Sequence, residues 1–237
     1  MYYWLIPLII GFILLAFFLY FRVNEQRVKA VIIKGFVSLM FIVTALLAWL
    51  SSNNPQSTFG IFILVGLCFG LFGDVFLDLK FIVKEHELLF TILGFFAFAF
   101  GHISYISGLF LNYFSFTAHV LYVIIPLIVT LVLVLFTSFM DKFSNIDYQK
   151  MKPFVAIYGF FLFFVTSIYL SAAIQNGWQN MTVDLMFASF ILFAASDLVL
   201  NNTYFAPGFN KPIFIIINHV LYYLAQFLIA ISLFFLT

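Results

Sequence analysis

Charge is the scarcest property of this sequence. Charged side chains make up 8% of its 237 residues, and long stretches contain none. Soluble domains carry roughly a quarter, so a soluble enzyme or binding module is excluded. The single cysteine, Cys68, lies inside an apolar run and excludes both an intrachain disulfide and a multi-cysteine metal site. Net charge is +1, and the basic residues are scattered over four gaps, so no nucleic-acid partner is indicated. No stretch is long and polar enough to link two domains, and residues 1–237 read as a single transmembrane domain. The first apolar run has no basic segment ahead of it and is followed by Arg22, which reads as a retained helix rather than a cleaved leader.

What is present is hydrocarbon, at 65% of the residues. Eight apolar runs are evident: Tyr2–Phe21, Ala30–Leu50, Phe59–Leu79, Leu88–Leu111, His119–Phe139, Pro153–Ile174, Met181–Leu200 and Ile213–Leu236. Each is close to the roughly 20 residues that a helix needs to cross a bilayer core. The expected fold is an all-α membrane protein of eight transmembrane helices. All ten Lys and Arg fall at alternate gaps or their edges: Arg22, Arg27, Lys29 and Lys34, then Lys80 and Lys84, then Lys142, Lys150 and Lys152, then Lys211. The gaps Ser51–Thr58, Asn112–Ala118 and Gln175–Asn180 hold none. The positive-inside rule makes the basic gaps cytoplasmic and puts both termini outside the cell membrane.

The two halves share a faint pattern. Gly73–Asp74 in the third run is echoed by Ser196–Asp197 in the seventh. The next run in each half carries His-x-x-Tyr, as His102 to Tyr105 and His219 to Tyr222. Four helices separate the copies, so they point the same way, as in a 4+4 parallel repeat about the membrane normal.

Ionisable residues inside a bilayer are costly and usually face a cavity or the bundle interior. Asp74 lies five residues, roughly 7 Å at helical rise, above the cytoplasmic end of its run. Gly66, Gly70, Asp74 and Asp78 recur at four-residue steps, and the small residues allow close helix approach. Asp78 sits nearer the interface. Asp197 has a depth similar to Asp74, with Ala194, Ala195 and Ser196 leaving space before it. Burial and mutual repulsion at such a pair keep one carboxyl protonated, which equips the pair for acid and base roles. His102 is deeper, with Tyr105 one turn on. His219, Tyr222, Tyr223 and Gln226 share one face of the last run. These residues suit a lined cavity, and equally suit interhelical hydrogen bonding. Lys34, near the start of the second run, could bind a phosphate or snorkel to the interface, and snorkelling is the preferred reading.

Several chemistries are absent. There is no G-x-S-x-G elbow, no H-E-x-x-H and no phosphate-binding P-loop. Gly70–Leu71–Phe72–Gly73–Asp74 is one residue out of step with the Gly-x-Gly-Asp of intramembrane aspartyl proteases, and the Tyr-Asp partner of those enzymes is missing. Nothing has tight metal-ligand spacing, so neither metal nor cofactor is expected. Buried Asp and His also suit a second class, a proton-coupled carrier or channel for a small or amphiphilic solute.

Four segments in order carry a resemblance. They are Gly73–Asp74, the segment Phe98-Ala-Phe-Gly-His-Ile-Ser-Tyr105, Ser196-Asp-Leu-Val-Leu200 and Tyr222-Tyr-Leu-Ala-Gln226. Together they resemble the YhhN-like family of multispanning membrane proteins, which includes the lysoplasmalogenases. The resemblance runs over nearly the whole chain and implies eight spans. It implies a lysophospholipid substrate drawn from membrane lipids, whose vinyl-ether bond is hydrolysed to a fatty aldehyde and glycerophosphoethanolamine or glycerophosphocholine. Asp74 and Asp197 would then be catalytic. Asp78, His102, Tyr105, His219, Tyr222, Tyr223 and Gln226 would bind or orient the substrate. This chain departs from the family pattern at Ala188–Ser189 and at Asn201.

The orientation is directly testable. A cysteine placed at Asn53 should react with an impermeant thiol reagent added outside cells, and one placed at Asn145 should not. The opposite pattern would invert the membrane orientation derived from the basic gaps.

Overall fold

The computed structural model describes residues 2–113, 120–139 and 146–237. Eight long α-helices account for most of them: α1 (Leu5–Val23), α2 (Arg27–Leu50), α3 (Thr58–Leu79), α4 (Glu87–Tyr113), α5 (Leu121–Phe139), α6 (Lys152–Gln175), α7 (Met181–Phe205) and α8 (Pro212–Ser232). Each is long and apolar enough to cross a membrane, and no strand occurs among the described residues. The chain is an all-α integral membrane protein. Helices are the open-chain solution here because hydrocarbon offers no partner to an unpaired backbone group. Side-chain hydroxyls within the spans follow the same rule. Thr44 donates to the Met40 carbonyl at 2.7 Å and Thr91 to the Glu87 carbonyl at 2.8 Å.

The basic gaps come together at one end of the bundle. The Arg22 guanidinium lies 3.7 Å from the Phe81 ring centre, and Arg27 donates to the Phe81 carbonyl at 3.3 Å. Lys80 sits 3.3 Å over the ring of Tyr204, and the Asp147 amide donates to the Phe205 carbonyl at 2.9 Å. At the other end Thr58 donates to Asn112 at 2.8 Å, and the rings of Tyr2 and Phe234 meet at 5.5 Å. The described chain ends therefore lie opposite the basic loops. His119, Lys142 and Asn145 lie outside the described residues.

Several helices differ in extent from the apolar runs. Helix α2 begins at Arg27, three residues before Ala30. Helix α7 continues five residues past Leu200 to Phe205. Its polar turn satisfies itself, with Asn202 donating to Leu198 at 2.8 Å and Thr203 to Leu200 at 2.8 Å. Helix α8 ends at Ser232, followed by a tight turn over Leu233–Phe235. These shifts place Lys34 and Asp197 about two turns inside their helices.

The halves pack in the same order. Helix α3 packs closely on α4 and α7 on α8, while α2 adjoins α3 and α6 adjoins α7. Helix α5 packs chiefly on α6 at the edge of the bundle. Small residues set the α3–α4 spacing. A Cβ on Gly101 would stand 3.1 Å from the Gly66 carbonyl oxygen, and one on Gly66 would stand 2.2 Å from the Tyr105 ring. Gly66→Ala must displace that buried ring and should cost about 1–3 kcal/mol, the usual scale of overpacking. The check is thermal unfolding in detergent. An unchanged melting temperature would contradict this close approach.

Candidate functional site

The most polar part of the interior joins α2, α3 and α8. Lys34, Asp74 and Asp78 are 4%, 2% and 1% exposed. The Lys34 ammonium lies 3.3 Å from Asp74 Oδ1 and donates to Asp78 Oδ1 at 3.1 Å. Asp74 and Asp78 are one helical turn apart, which lets one ammonium reach both. Asp74 Oδ2 accepts from the Ser38 hydroxyl at 2.6 Å and from the Tyr222 hydroxyl at 2.8 Å. Gln226 Nε2 donates to the Tyr222 oxygen at 2.8 Å, and the hydroxyls of Ser38 and Tyr223 lie 3.3 Å apart. Gly70 makes room for this amide, because a Cβ there would fall 2.8 Å from Gln226 Nε2. The fully buried Phe18 of α1 covers the cluster, its ring centre 5.8 Å from the Lys34 ammonium.

Asp197 has other surroundings. Its Oδ2 accepts a hydrogen bond from the Tyr158 hydroxyl of α6. No lysine or arginine makes an ion pair with it among the described residues. Its neighbour Ser196 is engaged elsewhere, exchanging hydrogen bonds of 2.9–3.1 Å with Asn218 of α8. In both halves a helix-preceding side chain donates to the aspartate: Ser38 of α2 to Asp74 of α3, and Tyr158 of α6 to Asp197 of α7.

The two carboxyls meet at one cavity. Asp74 and Asp197 both line a small chamber of about 30 Å³, walled on its apolar side by Leu77, Phe95 and Phe98. The chamber has two neighbours. Toward the basic end lies a polar vestibule of about 600 Å³, bordered by Arg22, Lys80 and Lys84 and by Asp78, Glu85 and Glu87. Asn218, His219, Leu200 and Tyr204 belong to both chamber and vestibule. Toward the outer surface lies an apolar groove between α6 and α7, bordered also by Thr137 of α5 and Phe95 of α4, which shares Phe95, Tyr158, Asp197, Leu200 and Tyr204 with the chamber. Lys80 stands just beyond the end of α3, where burial holds its ammonium down to about 7 despite the opposing pull of Glu87 and Asp78.

The sequence-derived residues divide into three sets. Asp74, Asp78, Tyr222, Tyr223 and Gln226 share the hydrogen-bonded network around Lys34 and Ser38. Asp197 and His219 reach the chamber wall from other sides, and His219 Nδ1 is tied to the Ile215 carbonyl at 2.8 Å. His102 and Tyr105 stand apart. Neither ring nitrogen of His102 nor the Tyr105 hydroxyl has a hydrogen-bond partner among the described residues. Aromatic rings surround His102 instead, with Phe193 at 5.0 Å and Tyr158 at 5.8 Å.

The snorkelling expectation for Lys34 is corrected. Its ammonium turns inward because two carboxylates lie within reach, and an aqueous route would leave both uncompensated. Ser38, Tyr158, Ser196 and Asn218 also belong to the site. The one sequence trace of Ser38 is its spacing from Lys34, one turn along the same helix. Tyr158 is one aromatic among many and had no such trace.

The sequence model of the YhhN family matches residues 29–233, a span that includes every residue of the chamber. No curated protein and no solved structure is significantly similar to the chain. The match covers α3 to α8 entirely and most of α2, and the chain belongs to the YhhN family.

Proposed function

We propose that the chain is a membrane hydrolase that cleaves the vinyl-ether bond of lysoplasmalogens. The observation that carries this reading is two carboxyls of unlike surroundings on one small chamber. Its volume of about 30 Å³ exceeds the 10–15 Å³ or so that one water requires.

The chemistry needs an acid and a base. Asp197, bonded to a phenol and paired with no cation, holds a proton and delivers it to the alkenyl carbon beyond the ether carbon. The electron pair of the double bond forms the new C–H bond, and an oxocarbenium ion results. Asp74, beside the Lys34 ammonium and the Ser38 and Tyr222 hydroxyls, serves as the base and takes a proton from water as the water oxygen adds to the cationic carbon. The hemiacetal then collapses. The C–O bond to glycerol breaks as Asp74 gives its proton to the glycerol oxygen, and the hydroxyl proton passes to Asp197, which returns both carboxyls to their starting states. The products are a fatty aldehyde and a glycerophospho-alcohol, and one water is consumed. Asp78, His219, Tyr222, Tyr223 and Gln226 act as positioning residues, with the phosphate-bearing head group in the vestibule beside Arg22 and Lys80. Family membership and the polar vestibule support this substrate class over a small soluble ether. A proton-coupled carrier would move its solute only across a sealed membrane, so hydrolysis by detergent-solubilised protein separates the two readings.

Asp74→Asn and Asp197→Asn should each lower alkenyl-lysolipid turnover by about a hundredfold or more, the scale of lost general acid–base catalysis. The double variant should be little worse than either single one, because the pair acts as a unit. Near-normal turnover in either single variant, measured on purified folded protein, would sink the paired-carboxyl mechanism.

No step in this scheme runs through a metal, so EDTA or phenanthroline should leave turnover unchanged. Loss of activity restored by zinc would replace the scheme with metal-assisted hydrolysis.

Head-group binding should depend on pH through Lys80. Its ammonium is charged below about 7 and neutral above it, facing Asp78 of α3, Glu87 of α4, Arg22 of α1, Lys34 of α2 and the Tyr204 ring of α7. An anionic phosphate binds the charged form, so KM should rise as pH passes upward through about 7. Lys80→Arg, charged throughout, should flatten that rise. An identical KM profile in this variant would remove Lys80 from head-group recognition.

A further inference from the structure

We infer that the apolar groove between α6 and α7 is the hydrocarbon-chain site of a single-chained amphiphile, entered sideways from the bilayer, with Gly159 setting how much chain it admits. The identity of the amphiphile rests on the hydrolase reading; the assignment of the groove to a chain rests on its shape and surroundings.

Two small residues create the groove. Gly159 of α6 and Ala194 of α7 both line it, and larger side chains at either position would occupy the space between the helices. On α6, Val155, Gly159, Leu162 and Phe163 follow at helical spacing along one face. On α7, Ala194, Asp197, Leu198 and Asn201 do the same. The walls are hydrocarbon over most of their length, with the Asp197 carboxyl and the Tyr158 hydroxyl at the inner end. Leu198 is 53% exposed, so the groove opens on the outer surface of the bundle, where lipid lies.

Continuity with the rest of the site identifies the occupant. Leu200 and Tyr204 border the vestibule, the chamber and the groove alike. A charged mouth, a chamber bearing two carboxyls and an apolar slot therefore adjoin one another around these two residues. A small polar solute has no use for the slot. A free hydrocarbon has no use for the charged mouth. A molecule with a charged head and one chain matches all three parts. The free volume of the groove, about 70 Å³, leaves no room for a second chain.

Gly159 offers a clean probe because its surroundings are open. A Cβ there meets only the Phe163 ring edge at 3.8 Å, an ordinary contact, and leucine is the better helix former. Gly159→Leu should fold, and its side chain should fill the groove rather than distort it. Gly35 on α2 is the control, because a Cβ there meets nothing within 4 Å and it lines none of the three spaces.

The test has two arms on purified protein. In the first, aldehyde release is compared for long-chain and short-chain alkenyl lysolipids. Gly159→Leu should lower the long-to-short ratio of kcat/KM by about tenfold, the scale of two methylenes that no longer find burial. Gly35→Leu should leave the ratio unchanged. In the second, a non-hydrolysable alkyl lysolipid with a diazirine near the chain end is photolysed on the protein. Adducts should map to Val155, Leu162, Phe163 or Leu198, and should fall in Gly159→Leu. Aldehyde release with an unaltered ratio, and adducts on other helices, would overturn the groove and leave the hydrolase standing. Adducts in the groove without aldehyde release would uphold the chain site and overturn the hydrolase.

Discussion

One ammonium shared by two buried carboxylates holds the interior of this protein together. Lys34 reaches Asp74 at 3.3 Å and Asp78 at 3.1 Å, with all three side chains almost wholly buried. Charges at this depth carry a large desolvation cost, and each is tolerable only because the others are present. Removing one partner of a buried pair typically costs about 3–5 kcal/mol, so the trio fixes α2 against α3. Tyr222 and Gln226 extend the constraint to α8, and Asp74 Oδ2 takes hydroxyl donors from both α2 and α8. Phe18 closes the cluster from α1.

Because Lys34 is committed to α3, Asp197 is left with a phenol for company. The result is two carboxyls on one small chamber, one within an ionic network and one outside it. Separated environments of this kind are how proteins give chemically identical groups different roles. The extension of α7 to Phe205 matters for the same site. It carries Tyr204 under Lys80, where the ring forms a common wall of vestibule, chamber and groove.

Most of the fold was legible because the membrane imposes its own regularity. Runs of spanning length are the helices, and the alternation of basic gaps reappears as one basic end of the bundle. Asp74, Tyr222 and Gln226 were legible as polar residues at depth, and they do converge. Lys34 was misread for a specific reason. Counting from Ala30 left it one turn inside the membrane, within snorkelling reach, whereas α2 begins at Arg27 and carries it a turn deeper. Its two carboxylate partners sit on another helix, and one sequence contains no measure of that distance. Tyr158 was invisible because one phenol in an aromatic-rich chain has no distinguishing pattern. His102 was legible as polar, yet its surroundings are rings, and a sequence read along single helices cannot see that enclosure.

The central claim is that the two carboxyls of the chamber carry different charge at neutral pH. Infrared spectroscopy of the purified protein reads this directly, because a protonated carboxyl and a carboxylate absorb in separate bands. The account predicts that Asp197→Asn removes a protonated-carboxyl band, and that Asp74→Asn removes carboxylate absorbance and leaves that band in place. Loss of carboxylate absorbance alone in both variants would contradict it.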